Sequence, residues 1–279
     1  MRYESETRHL YPRANPKIQP TPWWYFGRAV YVSRHEYAKI FNVFAVTGVA
    51  VGAASVLLKR KKPLQIPLAL AGVGVAMLGY SLIGLYRMYG HPAVEYLERL
   101  LRLGNVSGPV TVADLHIGTY RHAYLLAELL PEATIETIDC WNVSGPPAEE
   151  AVADVRALEP APQGHPRIHP HTATDFMLPL QDASCDVVGF GFGTHEIPVA
   201  DGSRDRLFRE ANRVLKPGGT VLMFEHGYDF HNYVIFGPVI KHVTKREDWE
   251  AVLRQYFEDV RLDRTSHAVD LYAAKRRSS

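Results

Sequence analysis

The stretch that decides the fold is Thr111 to Trp141, TVADLHIGTYRHAYLLAELLPEATIETIDCW. A short apolar run, Val110 to Leu115, delivers Asp114 near its end and gives way to a loop holding His116, Ile117, Gly118, Thr119 and Tyr120. An amphipathic stretch follows, and a second apolar run, Thr134 to Ile138, ends in Asp139, Cys140 and Trp141. Short apolar runs read as strands, and an amphipathic stretch between them reads as a helix. The result is a strand–loop–helix–strand unit with an acidic residue closing its second strand. A carboxylate there can accept both hydroxyls of a ribose, and an apolar neighbour can pack on a base.

The same alternation runs to the end of the chain, which is the signature of an α/β layer fold. A third strand around Arg167 to His171 precedes Thr174, Asp175 and Phe176. A fourth, Cys185 to Phe190, delivers Gly191, Phe192, Gly193, Thr194, His195 and Glu196. Arg206 to Leu215 is a predicted helix, LKPGG a turn, and Thr220 to Phe224 a fifth strand that delivers Glu225 and His226. Ligands of open α/β sheets sit outside the carboxyl ends of the strands. The residues leaving each strand are therefore the candidate site.

The run ATDFMLPLQDASCDVVGFGFGTHEI, followed by LFREANRVLKPGGTVLMFEHG, resembles class I S-adenosylmethionine-dependent methyltransferases, closest to the branch that acts on quinone and lipid precursors. The resemblance covers Val110 to Lys275. It implies a Rossmann-like mixed sheet closed by an antiparallel pair, Phe257 to Leu262 and Ala268 to Lys275. It also implies S-adenosylmethionine as cofactor, with Asp175 and Phe176 on the adenine and Asp139 on the ribose. Asp114, His116, Gly118, Thr119, Cys140, Trp141 and Gly191, taken from the strand ends, complete the candidate cofactor set. The family's loop carries three glycines where His116, Gly118 and Tyr120 stand here. Glycine serves where backbone approaches a ligand, so His116 and Tyr120 crowd the methionine end. Altered cofactor placement and a lost cofactor site both follow from that departure.

His195 and Glu196, on the rim after strand four, are the candidate catalytic pair, able to deprotonate an acceptor before methyl transfer. A helix cap or a cofactor contact explains His195 as well. Glu225, His226, Tyr228, Asp229 and His231 line an acceptor pocket or fill a polar loop. His165, His169 and His171 are interleaved with prolines and read as a solvated loop, and no metal site is expected.

The first ninety residues are of another kind. Ile40 to Leu58 and Pro63 to Tyr86 hold no charged residue, and each has about the length a helix needs to cross ~30 Å of hydrocarbon. Trp23, Trp24, Tyr25 and Phe26 precede them, as interfacial aromatics do. Gly48 with Gly52, and Gly72 with Ala76, give the small-residue spacing of close helix packing. A pair of buried core helices is the alternative. The predicted organisation is an interfacial segment over 1–36, a two-helix membrane hairpin over 37–90, a connector helix over 91–109 and a methyltransferase-like domain over 110–279. The expected partners are membrane lipids and a lipophilic substrate, with a homo-oligomer through the transmembrane helices as a further option. The basic loop Lys59-Arg60-Lys61-Lys62 pulls toward the cytoplasm, yet the cofactor places the catalytic domain there. A net charge of +1 gives no field for nucleic acid. Two cysteines give neither a disulfide framework nor a zinc site. The leading reading is a membrane-anchored methyltransferase for a quinone or other prenylated ring, a lipid or an alkyl thiol. A non-catalytic membrane scaffold and an enzyme that uses the same cofactor for another transfer remain beside it.

Overall fold

Burial on nearly every residue distinguishes the central strands, as expected of parallel strands covered on both faces. β1 (Thr111–His116), β2 (Thr134–Asp139) and β4 (Cys185–Phe190) all follow that pattern. The structure, a computed structural model, describes residues 21–278 except 63, 142–149, 159–161, 163, 238–239, 241–242 and 266–268. The first twenty residues of the interfacial segment, Pro63 and Ala268 thus lie outside the described residues. With β3 (Ile168–Thr172), β5 (Leu215–His226), β6 (Glu258–Arg264) and β7 (Val269–Lys275), the sheet runs β3-β2-β1-β4-β5-β7-β6. β1 to β5 are parallel, and β7 runs antiparallel to both β5 and β6. This is the Rossmann-like mixed sheet with a terminal antiparallel pair. β3 tolerates Pro170 because it is an edge strand, where a missing N–H interrupts no ladder. His169 and His171 therefore belong to a strand rather than a loop, and His171 Nε2 lies 2.6 Å from Glu136.

LKPGG does not stand outside the strand. Cys185 pairs with Leu215 and Val187 with Thr220, so the intervening residues bulge out of a continuous β5. The preceding helix, Ser203–Val214, ends one residue before that strand begins.

Counting helices in chain order, α1 is Pro22–Val32, α2 Arg34–Leu57, α3 Gln65–Tyr89 and α4 Ala93–Gly104. α5 is Arg121–Leu129, α6 Glu150–Leu158, α7 Ser203–Val214, α8 Phe230–Phe236 and α9 Arg246–Tyr256. Thr21 caps α1 by accepting the Trp24 N–H, and Asp229 caps α8 by accepting that of Asn232 at 2.9 Å. α4 is amphipathic, burying Tyr96, Leu97, Leu100 and Leu101.

α2 and α3 are long and apolar enough to cross a membrane, and only 6% and 17% of their most apolar windows is buried. Phe41, Val46, Leu57 and Val75 are 69%, 69%, 81% and 71% exposed, so these are not core helices of the domain. The close approaches within the pair lie at Gly52, against Pro67, and at Gly74, against Phe44. Gly48 and Gly72 face open space, so the predicted small-residue seam forms only in part. The last turns of α3 enter the domain. Leu85 and Met88 are fully buried, and a Cβ at Gly84 would lie 2.4 Å from Ile235 Cδ1 in α8. One apolar cluster joins Leu85, Met88, Tyr96 and Leu97 to Val112, Ile135 and Leu222 of the sheet. Among the described residues, the packing of α3 and α4 against the sheet is continuous through this cluster.

Candidate active site

The carboxyl ends of β1 and β2 bring the expected nucleoside residues together. β1 runs on to His116, which leaves Asp114 inside the strand, buried, with Oδ2 accepting from Thr137 at 3.1 Å. Asp114 braces β1 against β2 from within the strand. His116 Nδ1 accepts the Gly118 N–H at 2.9 Å, and its ring meets Tyr120 edge-on at 4.5 Å. Burial, with Asp139 pulling upward and Arg156 downward, lowers the His116 pKa to about 4, so the imidazole is neutral. Asp139 ends β2 with Oδ1 accepting the Trp141 N–H at 3.0 Å and Arg156 Nη1 at 2.7 Å. Arg156, from α6, also donates to the Ile117 carbonyl at 2.9 Å. Its Cγ lies 2.4 Å from where a Cβ on Gly118 would stand, and Gly118 has φ +110, a conformation that favours glycine. The arginine therefore occupies the cradle that the loop makes over the ribose carboxylate.

Asp175 and Phe176 both have positive φ, 49° and 62°, in a tight turn closed by the Met177 N–H on the Thr174 carbonyl. That turn drives Phe176 into the core and leaves Asp175 exposed, 3.5 Å from Arg206. Strained bulky residues of this kind are found where a site needs them. Cys140 is buried, and burial pushes its thiol well above the usual range, so it is a wall and not a nucleophile. Behind the loop a void of about 10 Å³ is lined by His116, Cys140, Gly191 and Thr194. Gly191 faces the other way as well: a Cβ there would lie 2.9 Å from His122 Nδ1.

Beyond the loop lies a larger, mostly apolar cavity of about 210 Å³. Its floor comes from the strand ends, through Ile117, Thr119, Phe192 and His226, and its far wall from α1 and the start of α2, through Arg28, Val32, Glu36 and Tyr37. The wall is pinned at both ends. Arg28 donates to Thr119 Oγ1 at 3.2 Å, and Arg34 Nη1 lies 2.5 Å from Asp154 of α6, whose side chain is fully buried. Phe192 and His226 stack with ring centroids 4.2 Å apart and an interplanar angle of 4°.

His195 sits in the middle of the 3-10 turn Thr194–Glu196 after β4 and lines the same cavity. Its Nδ1 lies 2.7 Å from Glu225 Oε2 and its Nε2 3.4 Å from Glu196 Oε1. Burial disfavours the charged ring, but the two carboxylates outweigh it and raise the His195 pKa to about 10. At neutral pH it is an imidazolium with both nitrogens protonated, which cannot act as the base the sequence suggested. It can hold the two glutamates in place and donate a hydrogen bond. Of the residues after β5, Glu225 and His226 reach the site. Asp229 is a helix cap, Tyr228 is 46% exposed, and His231 stacks on Tyr80 of α3.

Residues 117–223 match the family described as a methyltransferase domain. Among solved structures, a SAM-dependent methyltransferase from Aquifex aeolicus is 16% identical, with a TM-score of 0.50 over 66% of this chain and 97% of that one. The C-terminal part of the chain has the class I methyltransferase fold. The [4+2]-cyclase SpnF is likewise 16% identical, with a TM-score of 0.50 over 68% of this chain and 83% of that one. At that identity the likeness is one of fold, and the reaction has to be read from the site. No curated relative matches the chain at a significant level.

S-adenosylmethionine is the cofactor of the methyltransferase domain, and the residues present suit it. Asp139 stands at the end of β2 and Gly118 leaves a cradle beside it. Among the described residues the buried His116 Nε2 has no hydrogen-bond partner, a polar atom left over at the loop. Asp139 would hold the ribose hydroxyls once Arg156, a long side chain, moves aside. Sequence reasoning missed Arg28, Arg121, His122 and Arg156. Gly191 held the only hint of His122, because a glycine at a strand end makes room for something.

Proposed function

We propose that the protein is a membrane-anchored methyltransferase that acts on a small lipophilic acceptor held between its N-terminal helices and its strand ends. The observation that carries this reading is the shared wall. α1 and the first turn of α2 line the cavity, and α2 continues directly into apolar helix. An apolar cavity of ~150 Å³ is enough for benzene, so about 210 Å³ suits one ring or a short chain as the reacting end of a longer molecule. A quinone or other prenylated ring, a lipid and an alkyl thiol all meet that description. The bound cofactor supplies an electrophilic methyl group on a sulfonium. The protein's own task is to hold the acceptor in line with it and to keep water out. Asp139 binds, Phe192 and His226 present a flat stacked floor, and His195 fixes Glu196 and Glu225 on the rim. The catalytic domain faces the cytoplasm, where the cofactor is made.

Calorimetric titration of the full chain in lipid nanodiscs with S-adenosylhomocysteine, followed by methylation assays on acceptors of increasing chain length, tests this. Binding, with turnover that rises with acceptor chain length, is the expected result. One observation favours a second reading. The Gly118 cradle is filled by Arg156, and His116 and Tyr120 are buried against each other, as a non-catalytic scaffold would have them. Failure of S-adenosylhomocysteine to bind at millimolar concentration would establish the scaffold instead.

A further inference from the structure

Two buried polar side chains in the cavity wall have no use in what has been described. Arg121 and His122, the first residues of α5, are each 2% exposed and both line the cavity. Arg121 Nη1 donates to the Tyr96 hydroxyl at 3.1 Å and Nη2 to the Met88 carbonyl at 3.2 Å. Its guanidinium sits 5.3 Å from the Tyr25 ring centroid and 5.6 Å from that of Tyr89. Among the described residues no carboxylate pairs with it. Rings and neutral oxygens soften the cost of a buried cation but do not cancel it, and buried charges are normally paired. The carboxylates at the cavity have other partners: Glu196 and Glu225 are held by His195, and Glu36 by Lys39 at 2.5 Å. Among the described residues neither ring nitrogen of His122 has a hydrogen-bond partner. Burial first, then Arg121, His116 and Arg28, keep that ring neutral by lowering its pKa well below the usual value. A neutral imidazole still carries one N–H donor. The cavity thus offers an unpaired cation and an unsatisfied donor side by side in apolar surroundings.

We infer that Arg121 and His122 form the acceptor's anion site, and that the protein binds a lipophilic weak acid, a phenol, enol or thiol, as its conjugate base. The inference rests on the cavity being the acceptor site. The acid gives up its proton to bulk water on binding, and Arg121 supplies the countercharge the anion needs. The anion's lone pair then forms the new bond to the methyl carbon, while the carbon–sulfur bond breaks with its electron pair left on sulfur. A neutral acceptor such as an ether or a hydrocarbon ring would leave both groups unsatisfied, and selectivity against it follows.

The test uses the full chain in nanodiscs and two probes of similar shape, 4-nitrophenol and 4-nitroanisole. Only the first can ionise, and its phenolate is read directly by absorbance. At a pH where free 4-nitrophenol is mostly neutral, the bound probe is expected to carry the phenolate spectrum. It should also bind at least about tenfold more tightly than the ether, a difference of ~1.4 kcal/mol. Arg121→Gln should abolish both effects, and His122→Phe should reduce the preference for the phenol. Equal affinity for the two probes, a bound phenol in its neutral form, or no binding of either at millimolar concentration overturns the inference. The comparison of probes in the unmodified protein decides the matter even where Arg121→Gln fails to fold. S-adenosylhomocysteine titration of the same preparation keeps the outcomes separate. Phenolate binding without it sinks methyl transfer and leaves the anion site, and the reverse result sinks the anion site alone.

Discussion

The two halves of the strand-end rim are built on opposite plans. On the nucleoside side every wall comes from the Rossmann-like domain, and the space is closed by the domain's own side chains, leaving about 10 Å³ behind the loop. In the larger cavity, read as the acceptor's, the domain supplies the floor and one side, Ile235 and Phe236 of α8 among them, while α1 and α2 supply the far wall, and about 210 Å³ stays open. A generic cofactor can be served by residues local to the sheet. A particular acceptor needs a surface the sheet cannot supply, and the chain brings one from outside it.

The sharpest way to break this contrast is to detach the far wall. Arg34→Ala leaves the Asp154 carboxylate, fully buried and 2.5 Å from its partner in the intact protein, without a countercharge. Loss of one member of a buried pair costs ~3 kcal/mol or more. Thermal unfolding in detergent should fall accordingly, and acceptor binding should be lost while affinity for S-adenosylhomocysteine changes little. Asp154→Asn, which removes the stranded charge, should be milder. If cofactor and acceptor binding fall together, the two halves are one unit.

Asp139→Ala acts on the other half. Charge-assisted hydrogen bonds are worth ~1.5–3 kcal/mol each, so calorimetry should show cofactor affinity weaker by about tenfold to a hundredfold. Probe binding in the acceptor cavity should hold. Unchanged cofactor affinity would mean that the pocket lies elsewhere.

The rim between the halves should report pH. His195 is raised from 6.5 to about 10 in the folded protein. Its contribution to stability is present in full below pH 6.5 and fades as pH climbs toward 10, because the folded state holds a proton that the unfolded state has released. Unfolding measured across that window should show a decline that His195→Gln flattens. A slope unchanged in the variant would assign the decline to other groups. The smallest effect is expected at Arg156. Its ion pair with Asp139 is partly exposed, at 28% and 11%, and such pairs are worth up to ~1 kcal/mol. Arg156→Ala should therefore tighten S-adenosylhomocysteine binding by about two- to fivefold, and weaker binding would show that the arginine contacts the cofactor.

The sheet was legible in advance because apolar runs bounded by turn residues leave a local signature, and Asp139 and His195 fell at the expected strand ends. The boundaries slipped where tertiary pairing decides them. LKPGG has the composition of a turn but bulges out of β5, because β4 offers pairing partners on both sides of it. Asp114 has the sequence position of a strand-end carboxylate, yet β1 runs two residues past it and Thr137 donates to it across the ladder. The acceptor side was hidden for a different reason. Trp23 to Phe26 have the composition of an interfacial belt, and nothing local tells that α1 folds back more than eighty residues' worth of chain later onto Thr119. Arg121 and His122 look like the polar face of an ordinary helix until α3 and α4 close on the first and Phe192 and Phe224 on the second. No pattern of spacing reports what the other half of a contact is.

The last turns of α3 are part of the domain's core, with Leu85 and Met88 fully buried and Gly84 pressed against Ile235. On the membrane-anchored reading there is no tether to swing on, so the cavity is carried at one fixed depth and one tilt. Encounter with the acceptor then becomes a search by lateral diffusion within a leaflet, and turnover should scale with the mole fraction of acceptor in the lipid rather than with its amount per volume of solution. Diluting the vesicles with buffer should leave the rate per enzyme unchanged, whereas diluting the acceptor with inert lipid should slow it.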